Sequence, residues 1–291
     1  MKSVRLLSCM MSGGRMPNNP LPKKYRRFYH VDTVDEMWSI YLNEGNERSR
    51  IYRPINGRIP SNPRCLSCLR PFGGVGGALF RVLKGLQKST KNPLYCTGCY
   101  GLFYEAPGGA EVELTMLFVD VRGSTTIAET MSAVEFSRLM NRFYEAAINV
   151  LIHKDAFVDK LVGDEVTALF IPGFTGEDHA RKAVEAGKGL LQATGHGSKS
   201  GPWVPVGVGI HAGVAWVGSI KGANEEVADF TALGDNVNIT ARLASNAKEG
   251  EVLISEAAYS AANIEDETLE VRDLELKGKS ELVRVHVMTS R

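Results

Sequence analysis

The chain has 291 residues, 44% hydrophobic and 23% charged, with a formal net charge of +1; it reads as a soluble protein of one or two domains with no general attraction to nucleic acid or anionic membrane. No apolar run approaches the roughly 20 residues that span a bilayer. The opening Met1-Lys-Ser-Val-Arg-Leu-Leu-Ser-Cys9 lacks the apolar stretch of roughly 7 to 15 residues that export requires, so a cytoplasmic location is expected.

Residues 1–29 are rich in Gly, Pro, Asn, Lys and Arg, include Lys23-Lys-Tyr-Arg-Arg27 and show no periodicity, which predicts a flexible basic tail. From Asp32 the pattern becomes helical. Asp32 or Thr33 can cap a helix whose Val34, Met37, Trp38, Tyr41 and Leu42 share one face, with Gly45 ending it. That face must pack on something, either the core of its own small domain or another subunit or partner. Then come Cys65-Leu-Ser-Cys68 and, after the spacer from Leu69 to Tyr95, Cys96-Thr-Gly-Cys99. Paired C-x2-C knuckles in a reducing compartment suit a tetrahedral thiolate site better than disulfides, so Cys65, Cys68, Cys96 and Cys99 are expected to hold one structural Zn²⁺ per chain. An iron–sulfur cluster uses the same four thiolates and is the alternative. The spacer's Pro71-Phe-Gly-Gly-Val-Gly-Gly77 lacks the Gly-Lys-Ser/Thr ending of a phosphate loop.

Pro107-Gly-Gly109 marks the expected boundary between a 30–108 module, comprising the helix and the cysteine site, and a 109–291 domain. The second part opens with an apolar strand, Leu114-Thr-Met-Leu-Phe-Val-Asp120, ending on a carboxylate. Gly123 permits a tight turn, and Ser124, Thr125 or Thr126 can cap a following helix whose N-terminal N–H groups would face a polyphosphate. Ser132-Ala-Val-Glu135 is a capping box before a stripe of Phe136, Leu139, Met140, Phe143, Ala147, Val150 and Leu151. A second carboxylate, Asp164, sits at the Gly163-Asp164 turn between Val158-Asp-Lys160-Leu-Val162 and Glu165-Val-Thr-Ala-Leu-Phe-Ile171.

Hard cations such as Mg²⁺ take one or two carboxylates plus substrate phosphates, and Asp120 with Asp164 suits that work. Each alone is equally well explained as a polar turn residue. A helix follows over about 177–193. Val204-Pro-Val-Gly-Val-Gly-Ile-His211 and Ala215-Trp-Val-Gly-Ser-Ile220 then read as two strands around a turn. Strands joined by helices, with hairpins among them, indicate an α/β sandwich of the ferredoxin-like type. Gly234 opens a last informative helix in which Asn238 and Arg242, four apart, share a face and could position a ribose and neutralise phosphate charge. An unliganded exposed face explains that pair equally well.

From Glu111 to Arg291 these motifs together resemble the catalytic domain of class III nucleotidyl cyclases. The resemblance is carried by Leu117-Phe-Val-Asp120-Val-Arg-Gly-Ser-Thr, Lys160-Leu-Val-Gly-Asp164, His211-Ala-Gly-Val and Phe230-Thr-Ala-Leu-Gly-Asp-Asn-Val-Asn238-Ile-Thr-Ala-Arg242-Leu. It implies two Mg²⁺ or Mn²⁺ ions held by Asp120, Asp164 and the Val121 carbonyl, attack of a ribose 3′-hydroxyl on the α-phosphate, and release of pyrophosphate. It also implies that Asn238 orients the ribose, that Arg242 stabilises the transition state, and that Gly123, Ser124, Thr125 and Lys277 contact the triphosphate. Base choice in the family rests on the positions of Lys160 and Thr231, a pair that resembles adenylate cyclases and favours ATP, and that in some members accompanies a bicarbonate response. Many members carry a phosphate-binding Arg where this chain has Gly207. The resemblance further implies a homodimer with two shared sites. Other readings are a guanine or pyrimidine nucleotide cyclase, or a catalytically silent nucleotide-binding regulatory domain.

Overall fold

The computed structural model describes residues 19–45, 51–61, 63–84, 87–221, 228–279 and 281–290, and its sheet is organised around strand β1 (Gly108–Val121). Leu114, Met116 and Phe118 of this strand point to one face, Leu117, Val119 and Val121 to the other, and all six are buried. A strand buried on both faces reads as a near-continuous apolar run, which is why the sequence between Leu114 and Val119 carries almost no polar residue. Antiparallel β3 (Glu165–Phe170) and β4 (Val206–Lys221) flank it, and β2 (Phe157–Val162) lies beyond β3. The order β2-β3-β1-β4 is the ferredoxin-like unit. It is extended by β6 (Glu251–Ser255), parallel to β4, then by β8 (Val283–Thr289) and β7 (Glu270–Leu274), while β5 (Ala228–Leu233) pairs with the far half of β4.

Two helices cover one face. The first runs Ala133–His153 behind the Ser132–Glu135 capping box and buries Met140, Phe143, Ala147 and Leu151 of the predicted stripe, whose Phe136, Leu139 and Val150 are partly buried. The second, His179–Ala193, lies beside it. The opposite face is covered by the N-terminal segment together with the helix Asp235–Asn246. Helix Val34–Asn43 starts at a Thr33–Glu36 capping box and buries Val34, Met37, Trp38, Tyr41 and Leu42. Its Trp38 ring lies 6.0 Å from Phe103 and 5.9 Å from Phe230, and its indole N–H donates to the Ala106 carbonyl at 2.9 Å. Phe230 in turn lies 4.7 Å from Phe157 of β2. One hydrophobic cluster therefore runs from Leu21 through Phe103 into β1, β4 and β5, and among the described residues the segment before Gly109 has no separate core.

Two expectations are corrected. Residues 19–29, expected in a free tail, contain a helix, Lys23–Tyr29, with Leu21 and Tyr29 buried against the main cluster. So few anchoring residues leave no periodic trace. Residues 1–18, with Cys9, lie outside the described residues. The turn expected between Val204 and Ile220 is absent, because β4 runs continuously and pairs with β1 from Val206 to Ser219. Its glycines mark close approach of other backbone. A Cβ on Gly209 would lie 2.2 Å from the Ala244 nitrogen, and one on Gly218 would lie 2.3 Å from the Gly108 carbonyl. Among the described residues no helix is long and apolar enough to cross a membrane.

Because Trp38 is fully buried at the junction of helix and sheet, Trp38→Ala should cost about 3–5 kcal/mol of stability. Urea unfolding of the full chain measures this, and a loss below about 1 kcal/mol would contradict a shared core.

Candidate active site

Asp120 is directly opposite Glu165 across the β1–β3 ladder, and the Val121 N–H donates to the Asp164 carbonyl at 3.1 Å, so the two predicted carboxylates adjoin. The tight β2–β3 connection depends on Gly163, whose φ of 62° is strained for other residues. The Tyr144 hydroxyl donates to the Gly163 carbonyl and braces this turn. Ser124 begins helix Ser124–Glu129, but it does not cap it; Gly123, with φ 65°, occupies the cap position and no side chain bonds there. The Ser124 hydroxyl instead donates to Asp164. Arg122 pairs with Asp120 and also donates to the carbonyls of Ser245 at 3.0 Å and Ala247 at 3.4 Å. Arg122 and Glu165 are members of this cluster that sequence reasoning missed; the signal available was their position beside the two carboxylates. Burial first, and the Asp164 charge second, push the Glu165 carboxyl above its ordinary range.

A second cluster forms around Lys160 and Thr231, whose Nζ and Oγ1 are 2.7 Å apart. A bulge between Val158 and Lys160 breaks the β2 alternation, and Asp159 joins the same cluster. It accepts from Lys160 Nζ at 3.1 Å and from the Thr231 hydroxyl at 3.2 Å, and its own side chain is only 8% exposed. Burial raises the Asp159 carboxyl while the neighbouring Lys160 charge opposes the rise. Tyr95, buried within the cysteine segment, borders this group. Burial, then the charges of Asp229 and Asp159, push its phenol far above the ordinary value.

Helix Asp235–Asn246 carries Asn238, exposed, and Arg242, half-buried. It is set by glycine contacts with β4 and by His211, which bonds Ser255 at 2.8 Å and Asn236 at 2.9 Å. Gly207, where the family often has Arg, faces the end of this helix; a Cβ there would meet the Ala247 carbonyl at 2.7 Å. Lys277 is exposed, and the neighbouring Lys279 pairs with Asp235. The structure thus joins Asp120, Asp164 and Ser124 in one cluster and Lys160 with Thr231 in another. Among the described residues, no hydrogen bond or ion pair links these two groups to each other or to Asn238.

The sulfur atoms of Cys65, Cys68, Cys96 and Cys99 all lie within 4.8 Å of one another and could hold a metal ion. Cys68 and Cys96 are 3.8 Å apart, about the edge of a tetrahedron with metal–sulfur bonds of about 2.3 Å and far beyond a disulfide bond of about 2.05 Å. The first knuckle turns through Leu69, with φ 55°, and closes with the Leu69 N–H on the Cys65 carbonyl at 2.9 Å. The Cys96 N–H points at Cys65 sulfur at 3.2 Å and Arg70 reaches Cys96 sulfur at 3.6 Å, contacts that favour thiolate charge. Hydrogen bonding from Cys65, then Cys68 and Cys99, draws Cys96 well below the ordinary thiol range, whereas burial holds Cys65 well above it.

A ferredoxin-like sheet with adjoining carboxylates at the end of β1 and in the β2–β3 turn defines the architecture of a class III cyclase domain. The chain belongs to the family described as the adenylate and guanylate cyclase catalytic domain, whose model matches residues 109–289. It is 30% identical over 184 residues to an adenylate cyclase of Anabaena cylindrica, an alignment covering 60% of this chain and 36% of that protein. The chain therefore spans about a third of the length of that curated relative. Among solved structures it is similar to the adenylyl cyclase CyaB from P. aeruginosa, at 29% identity and TM-score 0.53, covering 63% of this chain and 97% of the other. The guanylyl cyclase Cya2 matches at 26% identity and TM-score 0.55, covering 62% and 93%.

The glycines under the Asn238 helix generate a test of its seat. Gly209→Ala pushes a methyl into the Ala244 backbone and should cost about 1–3 kcal/mol; an unchanged melting temperature would show that the helix is not so tightly held.

Proposed function

We propose that the protein is an adenylate cyclase, converting ATP to 3′,5′-cyclic AMP and pyrophosphate at a homodimer interface. The observation that carries this reading is the adjoining of Asp120 and Asp164 on a cyclase sheet whose Lys160–Thr231 pair is already assembled at 2.7 Å. Each carboxylate uses Oδ2 in the bonds described above, which leaves Oδ1 for a hard cation. Asp120, Asp164 and the Val121 carbonyl would hold two Mg²⁺ or Mn²⁺ ions, which when bound supply charge neutralisation on the triphosphate and a more acidic 3′-hydroxyl.

The chain's own groups then act by position. Lys160 and Thr231 read the base, Asn238 orients the ribose, and Gly123, Ser124, Thr125 and Lys277 contact the phosphates. Arg242 faces the α-phosphate and offsets the charge that builds there. The 3′-oxygen forms its bond to the α-phosphorus as the bond to the bridging oxygen breaks; the hydroxyl proton passes to solvent and pyrophosphate departs with the electron pair. Two unlinked clusters within one chain favour a site assembled from two copies, with the carboxylates of one subunit facing Asn238 and Arg242 of the other. The cysteine cluster, by its spacing and its N–H contacts, suits one Zn²⁺ per chain. An iron–sulfur cluster is the competing occupant.

Asp120→Ala or Asp164→Ala should abolish cyclisation in a Mn²⁺ assay that offers ATP, GTP, CTP and UTP and identifies the product by mass. Substantial activity in either variant removes the metal assignment, and a product from a different nucleotide removes the ATP reading. Mixing Asp120→Ala with Asn238→Ala subunits places both lesions in one site of a mixed dimer and should restore roughly a quarter of wild-type activity. No recovery despite subunit exchange would count against the shared site. Metal analysis should find zinc in the wild type and lose it in Cys65→Ser; iron with visible absorbance would replace zinc by a cluster.

A further inference from the structure

Asp159 has no part in the scheme above, yet its carboxylate bonds both Lys160 and Thr231 and its side chain is only 8% exposed. Its Oδ2 accepts the Thr231 hydroxyl at 3.2 Å and its Oδ1 accepts Lys160 Nζ at 3.1 Å, while Lys160 also donates to Thr231 Oγ1 at 2.7 Å. A further carboxylate, Asp229, lies 3.8 Å from Lys160.

A hydroxyl has one hydrogen and two lone pairs and can face a ligand in either sense; an ammonium has three hydrogens and can only donate; an ionised carboxylate can only accept. In this triangle the Thr231 hydrogen is committed to Asp159, and one of its lone pairs is committed to Lys160. What Thr231 has left for a ligand is a lone pair. Lys160 has spent one hydrogen on Asp159 and one on Thr231, and it has one N–H left. The pair therefore offers one donor and one acceptor of defined sense. That pattern complements adenine, whose N1 accepts and whose 6-amino group donates; guanine presents the reverse, an N1–H and an O6 acceptor.

We propose that Asp159 is a positioning residue for base selection, which by claiming the Thr231 hydrogen fixes that hydroxyl as an acceptor and so sets the preference for adenine over guanine nucleotides. The inference rests on the reading of Lys160 and Thr231 as the base-contacting pair. The bulge is what makes the arrangement available, since regular alternation would send the side chains of Asp159 and Lys160 to opposite faces of β2.

The test is the ratio of adenine to guanine nucleotide affinity, measured on the full chain with 3′-deoxy-ATP and 3′-deoxy-GTP displacing 3′-anthraniloyl-2′-deoxy-ATP in the presence of Mn²⁺; all three lack a free 3′-hydroxyl, so binding is read without turnover. In Asp159→Asn the side-chain amide can donate to Thr231 and free its hydrogen to face the guanine O6. The ratio should fall by about tenfold or more, the effect of reversing one buried hydrogen bond. In a Thr231→Val background the same substitution should change the ratio little, because the group through which Asp159 acts is gone. Asp159→Ala, which leaves the hydroxyl free to rotate, should also lower the ratio and guards against a misfolded Asn variant. If the wild type prefers ATP but Asp159→Asn and Asp159→Ala keep that preference while binding both nucleotides more weakly, Asp159 is a scaffold residue and the inference fails alone. A wild type with no preference for ATP overturns the base assignment and this inference together. A wild type that binds ATP selectively without cyclising it fails the cyclase reading and leaves the affinity ratio to decide.

Discussion

The double-sided burial of β1 is the constraint on which the rest of this structure depends. Fourteen residues of β1 pair along β4, and Thr115 to Asp120 also pair along β3, so over that half the strand is bonded at both edges and both rows of its side chains leave water. The Ala133–His153 and His179–Ala193 helices cover one row. The second row is covered by the helix Asp235–Asn246 and by the N-terminal segment, whose Trp38 and Phe103 continue in sequential ring contact to Phe230 of β5 and Phe157 of β2. A segment that looks like an appended module in sequence is thus part of the core of the sheet.

The same constraint places the chemistry. Carboxylates are costly inside an apolar layer, and Asp120 and Asp164 occur where that layer ends, at the last residues of β1 and in the turn joining β2 to β3. There Ser124 and Arg122 supply the hydrogen bonds that a half-buried carboxylate needs. Arg122 also reaches the carbonyl groups at the end of the Asn238 helix, where a cation is favoured by the unsatisfied acceptors and the negative end of the helix dipole. One guanidinium therefore ties the carboxylate cluster to the helix that carries Asn238 and Arg242.

The cysteine cluster sits against this arrangement. Tyr95 precedes Cys96, packs edge-on to Phe103 at 5.1 Å and borders the Asp159–Lys160–Thr231 triangle. Through Tyr95 the cysteine segment packs into the same aromatic row that covers β1.

Local pattern determined much of this protein. The Thr33 and Ser132 capping boxes, the helical stripes that follow them and the turn at Gly163 all rest on interactions between residues a few positions apart, and each was legible in the sequence. So was the grouping of the four cysteines, because paired ligands at fixed spacing have few other uses. The family motifs singled out Asp120, Asp164, Lys160, Thr231, Asn238 and Arg242, whose roles rest on that resemblance. Tertiary structure alone decided what long-range packing controls. The stretch from Val204 to Ile220 read as two strands around a turn, but β4 runs through it, and its glycines are places where the Asn238 helix and β1 come too close for a side chain. The N-terminal helix found its partner on the far side of Pro107. Asp159 acquired its place through a bulge, and Arg122 through a helix end distant in the chain. Their roles depend on register and on approach across the fold, and neither quantity is written in any local stretch of residues.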